Sequence, residues 1–424
     1  MHSIYWPNTS NMKYSFYLLF FLCSSLTALL GQGPAVTSWV RNPGTETGYN
    51  NLPSNVQIVQ YSTNNVYVSC SCIPGYDIGP WAGNPNIPVN KNFVYKITLN
   101  PTKNNGTLTT VGLGHTGVWS NGVSVFNADD GMSYNNQGVW KRNALYWEGS
   151  SFDDCLGHPA PGGEYHHHVN PRCVYDDTDS TKHAPIIGYA FDGFPIYGAY
   201  GFANADGTGG IKRMQSSYQI RNITTRTTLP DGSTASAAGP AVSAQFPIGC
   251  YIQDHVYVQG AGDLDERNGR FCITPEYPNG IYAYFVTIDG NLDPVFPFTM
   301  FGTFYGVVQA GNMGGPNSGH NTINETTTVY NGVSASHTPE TGIEYEFGPN
   351  PVKSTAFIYF TPNSVNNITG VLYNENGAVV ADYQNLQPSI QYPLDLSELP
   401  SGVYFLHLNA DKAQVIQKIV KVKR

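Results

Sequence analysis

From about residue 50 to residue 305 the sequence is a succession of short apolar and aromatic runs separated by clusters of Gly, Pro and Asn. Runs of that length, punctuated that often, fold as short strands joined by turns and leave little room for long helices. The composition agrees: 45 Gly, 29 Pro and 29 Tyr, with only 12% charged residues, favour pleated segments over helical ones. A mainly β fold is therefore expected, and 424 residues allow two or three domains with ample core. The formal net charge is −9 and no Lys/Arg cluster interrupts the body of the chain, so nucleic acid is not an expected partner.

The N-terminus sets the compartment. Lys13 precedes an apolar run from Phe16 to Leu30, followed by Gly31-Gln32-Gly33, the layout of a secretory signal over residues 1–31. The run is short for a bilayer span, and Leu22 stands where a lipid anchor at Cys23 would need a small residue. The mature chain is thus expected to be exported without a transmembrane span. Loss of Cys23 leaves six cysteines: Cys70, Cys72, Cys155, Cys173, Cys250 and Cys272. An even number in an exported chain points to disulfides, with 15 possible connectivities. Proximity in sequence pairs Cys155 with Cys173 and Cys250 with Cys272. Cys70 and Cys72 alternate onto one strand face in "NNVYVSCSCIPGY" and point in parallel. They bond to each other only with strain, pair elsewhere, or ligate a soft metal; the compartment puts disulfides ahead of metal.

Three parts follow the signal. Residues 45–308 form the main β-rich domain. Residues 309–342 have a linker composition, rich in Gly, Asn, Ser and Thr, and are expected to be flexible. Residues 343–424 contain "TAFIYF", "ITGVLYN", "AVVADYQ", "GVYFLHLNA" and "QVIQKIVKVK", with Asn376-Gly377 as a hairpin turn. Short strands at that spacing predict a small β-sandwich. The order of "NPVK", "NENGAVV", "LPSGVYFLHL" and "QKIVKVK" resembles the C-terminal sorting domain of the type IX secretion system. That resemblance implies passage across the outer membrane to a secreted or cell-surface location. It also implies a translocon and a sortase as partners. An accessory sandwich that binds glycan or the main domain is the alternative.

The chemistry concentrates in "DDCLGHPAPGGEYHHHVNPRCVYDD". His166 and His168 stand two apart, so in an extended segment both leave one face while Tyr165 and His167 leave the other. Such a pair offers two imidazoles to zinc or copper. His158 can return as a third ligand across the Gly162-Gly163 turn. A Cys155–Cys173 bond would close a loop of 18 residues, contributing ~3 kcal/mol in the chain-entropy model and holding His158 near the pair. Packing alone does not call for four histidines within eleven positions, although hydrogen-bonded core histidines or exposed ones with incidental metal affinity are the plainer alternatives. Together with "HAPIIGYAFDGFPIYGAYG" and "GDLDERNGRFCITPEYPNGIYAYFVT", this stretch resembles the YHYH family, in order, over about residues 50–305. The chain departs from the motif at His167, where the family commonly has Tyr.

Further candidates are weaker. His183 is a possible ligand. Asp192 and Glu276 are candidate acid/base groups for catalysis, although Asp-Gly at 192–193 is a turn signal in its own right. Asp265, Glu266, Arg267 and Arg270 read as ion pairs, and His115 and His255 as surface or satisfied core histidines. No nucleophile elbow, HExxH or phosphate loop is present. The sequence thus predicts an exported metal-binding protein. A metalloenzyme acting outside the cell, a non-catalytic binding module and a purely structural stapled domain are the readings it leaves open.

Overall fold

The computed structural model describes residues 32–42, 46–314, 317–330, 343, 345–348, 350–360, 364–410 and 413–422. The expected signal, residues 1–31, lies outside them. Strands dominate, and the longest helix among the described residues is Ala144–Glu148. No helix among them is long and apolar enough to cross a membrane.

The main domain is built on two sheets. The first orders its strands Thr328–Val329, Val56–Tyr61, Asn65–Cys70 and Phe93–Thr98. Phe93, Tyr95 and Ile97 are buried while Val94, Lys96 and Thr98 are half-buried, the period-2 pattern of a strand with one core face. The second sheet has eight strands in the order Gly269–Cys272, Ile281–Phe285, Pro195–Tyr197, Ile186–Ala190, Gly117–Trp119, Ser124–Val125, Tyr165–His167 and His158–Pro159. Its central strands are buried on both faces. Val118, Ile186, Tyr189 and Tyr197 join one apolar cluster, while Trp119, Ile187, Ala190 and Ile196 join another. Apolar cover on both sides explains why "APIIGYA" reads as a continuous run rather than an alternating one.

One pairing in this sheet generates the site. Ser124–Val125 lies parallel to Tyr165–His167, with Ser124 opposite His166. Parallel neighbours cannot be joined by a tight hairpin and need a long crossover. Here residues 126–164 provide it, carrying the helix Ala144–Glu148 and the strand His158–Pro159 back to the sheet edge.

Four expectations are corrected. The stretch 309–342 does not begin as a free linker: Asn312 is fully buried, its side chain accepting from the Lys96 N–H (2.9 Å) and donating to the Lys96 carbonyl. Thr328–Val329 adds to the first sheet beside Val56–Tyr61. Residues 331–342 lie outside the described set. Upstream of the expected start at 45, Trp39 is buried and packs on Tyr189 (5.4 Å between ring centroids). Cys250 and Cys272 are both free and buried, because they fill different apolar clusters, Cys250 beside Trp140 and Tyr251 and Cys272 beside Ala283 and Phe285. Cys70 and Cys72 are also free. The strand ends at Cys70, and Cys72 adopts φ +65°, so the alternation that would set them side by side is broken. The Cys72 thiol instead donates to the Tyr165 carbonyl at 3.0 Å.

The C-terminal part is a sandwich. Sheets of three strands (Tyr345–Gly348, Thr355–Phe360, Gln391–Asp395) and four (Val379–Leu386, Ile368–Asn374, Gly402–Ala410, Ala413–Lys421) enclose one core that includes Ile358, Phe360, Leu372, Leu406 and Ile419. Each such fully buried side chain contributes about 1.5–3 kcal/mol.

Candidate metal centre

His158, His166 and His168 come together as a buried group able to hold a metal ion. The turn Pro161-Gly162-Gly163 makes this possible. Gly162 and Gly163 take φ +86° and +78°, a region L-residues avoid, and a side chain on Gly163 would strike the Ile87 carbonyl. The chain therefore reverses tightly and sets His158 opposite His166 across the sheet edge. Cys155 and Cys173 are bonded, with their Cα atoms 5.3 Å apart, which closes the loop around all three histidines. As the strand period requires, His166 and His168 leave one face and Tyr165 and His167 the other.

The three rings converge through one kind of atom. The Nε2 atoms of His158 and His166 are 3.1 Å apart, and those of His166 and His168 are 3.0 Å apart. Each Nδ1 is engaged on the far side. His166 Nδ1 donates to the Glu164 carbonyl and His168 Nδ1 to the Asn127 carbonyl. His158 Nδ1 meets Ser151 Oγ at 2.8 Å, and because that hydroxyl donates to the Glu148 carbonyl, its oxygen accepts the imidazole proton. All three neutral rings are therefore Nδ1–H tautomers with their Nε2 lone pairs turned toward one another. Glu148 adds a fourth lone-pair donor: its Oε2 is buried, has no hydrogen-bond donor, and lies 3.2 Å from His168 Nε2 and 3.7 Å from His158 Nε2.

Protonation of His158 or His166 does not relieve this crowding at neutral pH. Burial, reinforced by the neighbouring His168, pushes His158 down to about 3. Burial drives His166 well below the ordinary range for the same reasons. A cation is the other remedy. Imidazole nitrogens bind zinc at about 2.0–2.1 Å, so neighbours 3.0–3.1 Å apart would subtend roughly 95° at the ion. That angle is somewhat tighter than tetrahedral and within reach of small ring movements. Fixed Nδ1–H partners are also what metal-ligating histidines require.

The group forms part of the floor of a cleft of about 580 Å³ whose walls include Asn84, Leu113, Phe126, Asp129, Asp130, Trp147 and Glu148. Phe126 stacks on His166 at 3.8 Å between centroids and fixes its ring plane. Asp130 is raised to about 6, mainly by burial and further by Glu148, against the opposing Met132 N–H and Arg142.

Behind the strand the surroundings differ. Tyr165 Oη donates to Asp153 Oδ2 at 2.8 Å, and Asp153 also accepts from the backbone N–H groups of Gly79, Cys155 and Gly157. His167 is fully buried against Tyr165 and Trp119, and burial lowers it to about 4.

Other candidates sit elsewhere. Asp192 is fully buried and accepts from Tyr284 Oη (2.7 Å) and from the Gly306 and Phe194 N–H groups (2.8 and 3.2 Å). Glu276 accepts from Tyr197 Oη at 2.9 Å. Neither lines the cleft over the histidines. His183 donates to the Ala184 carbonyl among Tyr197 and Phe202. His115 is tied to Glu164 at 2.8 Å, and His255 stacks on Phe296. Asp265 holds its own turn and Tyr282, Glu266 contacts Arg267, and Arg270 donates to the Phe202 carbonyl. Sequence reasoning missed Glu148, Ser151, Phe126 and Asp130. Asn143 before "ALYWE" is a legible helix cap, and its side chain accepts from the Leu145 N–H. No spacing rule connects that helix to histidines ten and more residues away.

A β-rich exported domain with a three-histidine centre in a cleft, followed by a seven-stranded sandwich, is the class of protein that fold and site define. Residues 94–296 match the family model for YHYH proteins, and residues 347–423 match that for the secretion system C-terminal sorting domain. The chain thus carries a YHYH domain followed by a type IX sorting domain, and it is secreted or held at the cell surface. No curated protein matches its sequence.

Proposed function

We propose that this protein is a metal-dependent enzyme acting outside the cell, its ion held by Nε2 of His158, His166 and His168. The observation that supports the reading is the convergence of three fixed Nε2 lone pairs and the unpartnered Glu148 Oε2 on the floor of an open cleft. Neutral imidazole donors suit zinc or copper better than calcium. When bound, such an ion supplies Lewis-acid chemistry and acidifies a coordinated water. The chain's own contribution is to hold three rings in one tautomer, to exclude bulk water by burial, and to place the Glu148 carboxylate where it can take up a proton. Residues 1–31 would serve as the signal peptide, and the C-terminal sandwich would engage the translocon and sortase of the secretion system.

Metal analysis of exported protein, exposed separately to zinc and to copper, tests the reading. One tightly held ion per chain is expected. No stoichiometric binding of either metal would sink it and leave a stapled polar core.

A second reading has its own support. Glu148 Oε2 lies 3.2 Å from His168 Nε2, close enough to serve as a fourth ligand in a closed, non-catalytic site. Glu148→Gln separates the two. Metal affinity reduced by about tenfold or more marks a ligand. Undiminished affinity marks a proton-handling group beside an open coordination position.

A further inference from the structure

The cleft over the histidines carries three carboxylates, and they are not equally matched. Asp129 Oδ2 is bonded to Lys141 Nζ at 2.8 Å. Glu148 faces the histidine nitrogens. Asp130 is the exception. Its side chain is only 4% exposed, and its Oδ1 accepts from the Met132 N–H at 2.7 Å. The cation nearest Oδ2 is Arg142 Nη1 at 3.9 Å, beyond hydrogen-bond reach. Arg142 is drawn elsewhere, stacked over the Trp147 ring at 4.3 Å and directed at Met132 Sδ at 3.3 Å. No Lys or Arg lines the cleft. A largely buried carboxylate whose second oxygen has its nearest cation 3.9 Å away is incompletely paired, and a closer cation would stabilise it.

We propose that the cleft receives a ligand bearing an ammonium group, and that Asp130 Oδ2 takes that cation while the rest of the ligand reaches toward the histidine centre. The apolar part of the lining fits the carbon around such a group: Leu113, Phe126 and Trp147 face the same cleft. Burial raises the Asp130 carboxyl to about 6, and neither the Met132 N–H nor the distant Arg142 offsets that. Phosphate esters and other anionic ligands are disfavoured by the same three carboxylates. The proposal deepens the metalloenzyme reading by naming the substrate class of that cleft, yet Asp130 recognises the cation whether or not the ion is redox-active.

The test uses the full exported chain loaded with zinc, titrated calorimetrically with two matched pairs. Choline is compared with 3,3-dimethylbutan-1-ol, which has the same shape without the charge, and glucosamine with N-acetylglucosamine. The quaternary ammonium of choline cannot coordinate a metal through nitrogen, so its binding reports the carboxylate alone. A preference of about tenfold for at least one charged member is expected, falling to near parity in Asp130→Asn with bound zinc unchanged. Preference for choline alone marks a quaternary ammonium ligand; preference for glucosamine alone marks a primary amine on a sugar. Equal binding within both pairs, no binding of any charged probe, or a preference that survives Asp130→Asn overturns the proposal. Asp130→Ser serves as the second variant should the amide fail to fold. Zinc content measured on the same samples keeps the outcomes separate. Absent zinc with charge preference intact defeats the metal reading only, and retained zinc without preference defeats this one only.

Discussion

Asp192 and the histidine group are both buried and polar, and they end in opposite states. Asp192 has its acceptor positions met from within the fold, by Tyr284 Oη and by the N–H groups of Gly306 and Phe194. The histidines have only their outer atoms met. Their inner Nε2 atoms, and Glu148 Oε2 beside them, face each other with lone pairs. Buried polarity completed by the protein is structure; buried polarity left incomplete on one side is a place for something else. That distinction moves the catalytic expectation away from Asp192, whose conspicuous position in the sequence reflects a locked turn.

The sharpest way to break the contrast is Asp192→Ala. It strands three buried donors, and a stability loss of about 4 kcal/mol is expected from one to three for each, partly relaxed. Denaturant melts with and without chelator should show the same loss. Dependence on chelator would tie Asp192 to the metal after all. Next comes His166→Ala, for which metal affinity should fall at least about 100-fold, or about 3 kcal/mol. In chelator this variant should melt near the unmodified protein, and a large deficit there would make the histidine a core residue instead.

Acidity offers a third handle, through a histidine of the completed kind. His255 is stacked on Phe296, and burial lowers it to about 4. Since its folded pKa lies below the unfolded value near 6.5, the unfolded chain binds the extra proton between those limits. Stability is thus intact above pH 6.5 and lost as pH falls toward 4, by about 2 kcal/mol at pH 5. His255→Gln should flatten that part of the stability curve, and an unchanged slope would refute the assignment. A smaller effect is expected from Ser151→Ala, which frees the His158 ring to change tautomer and should weaken metal binding about tenfold. Smallest is His167→Ala, with less than about twofold change in metal affinity because its ring leaves the opposite strand face. Equal metal loss for His166→Ala and His167→Ala would erase the two-faced description of the strand.

What could be seen in the sequence was what local geometry dictates. Alternation sorted His166 and His168 from Tyr165 and His167, paired glycines announced the turn that returns His158, and closeness along the chain paired Cys155 with Cys173. Closeness failed for Cys250 and Cys272, because a hairpin-rich domain can place nearby segments in separate apolar clusters. Alternation failed at Cys72, where one residue at positive φ ends the strand pattern. The polar composition after residue 309 concealed burial, since an asparagine such as Asn312 is comfortable inside once both ends of its amide are bonded to a neighbouring strand. Glu148 and Ser151 were beyond any local rule. They reach the histidines only because a parallel strand pair forces the chain through a long crossover, and the path of that crossover is a property of the whole sheet.

The bond between Cys155 and Cys173 also sets a timetable. Thiols in the cytoplasm are kept reduced, so the clasp around the three histidines closes only after the chain has left that compartment. Before then the loop that carries them lacks its clasp, and the proposed centre would hold an ion less well, since ligand order must be supplied at the moment of binding. On the proposed metal reading, the ion would come from whatever the oxidising side of the membrane supplies, which makes the destination, rather than the ribosome, the place where the centre is finished.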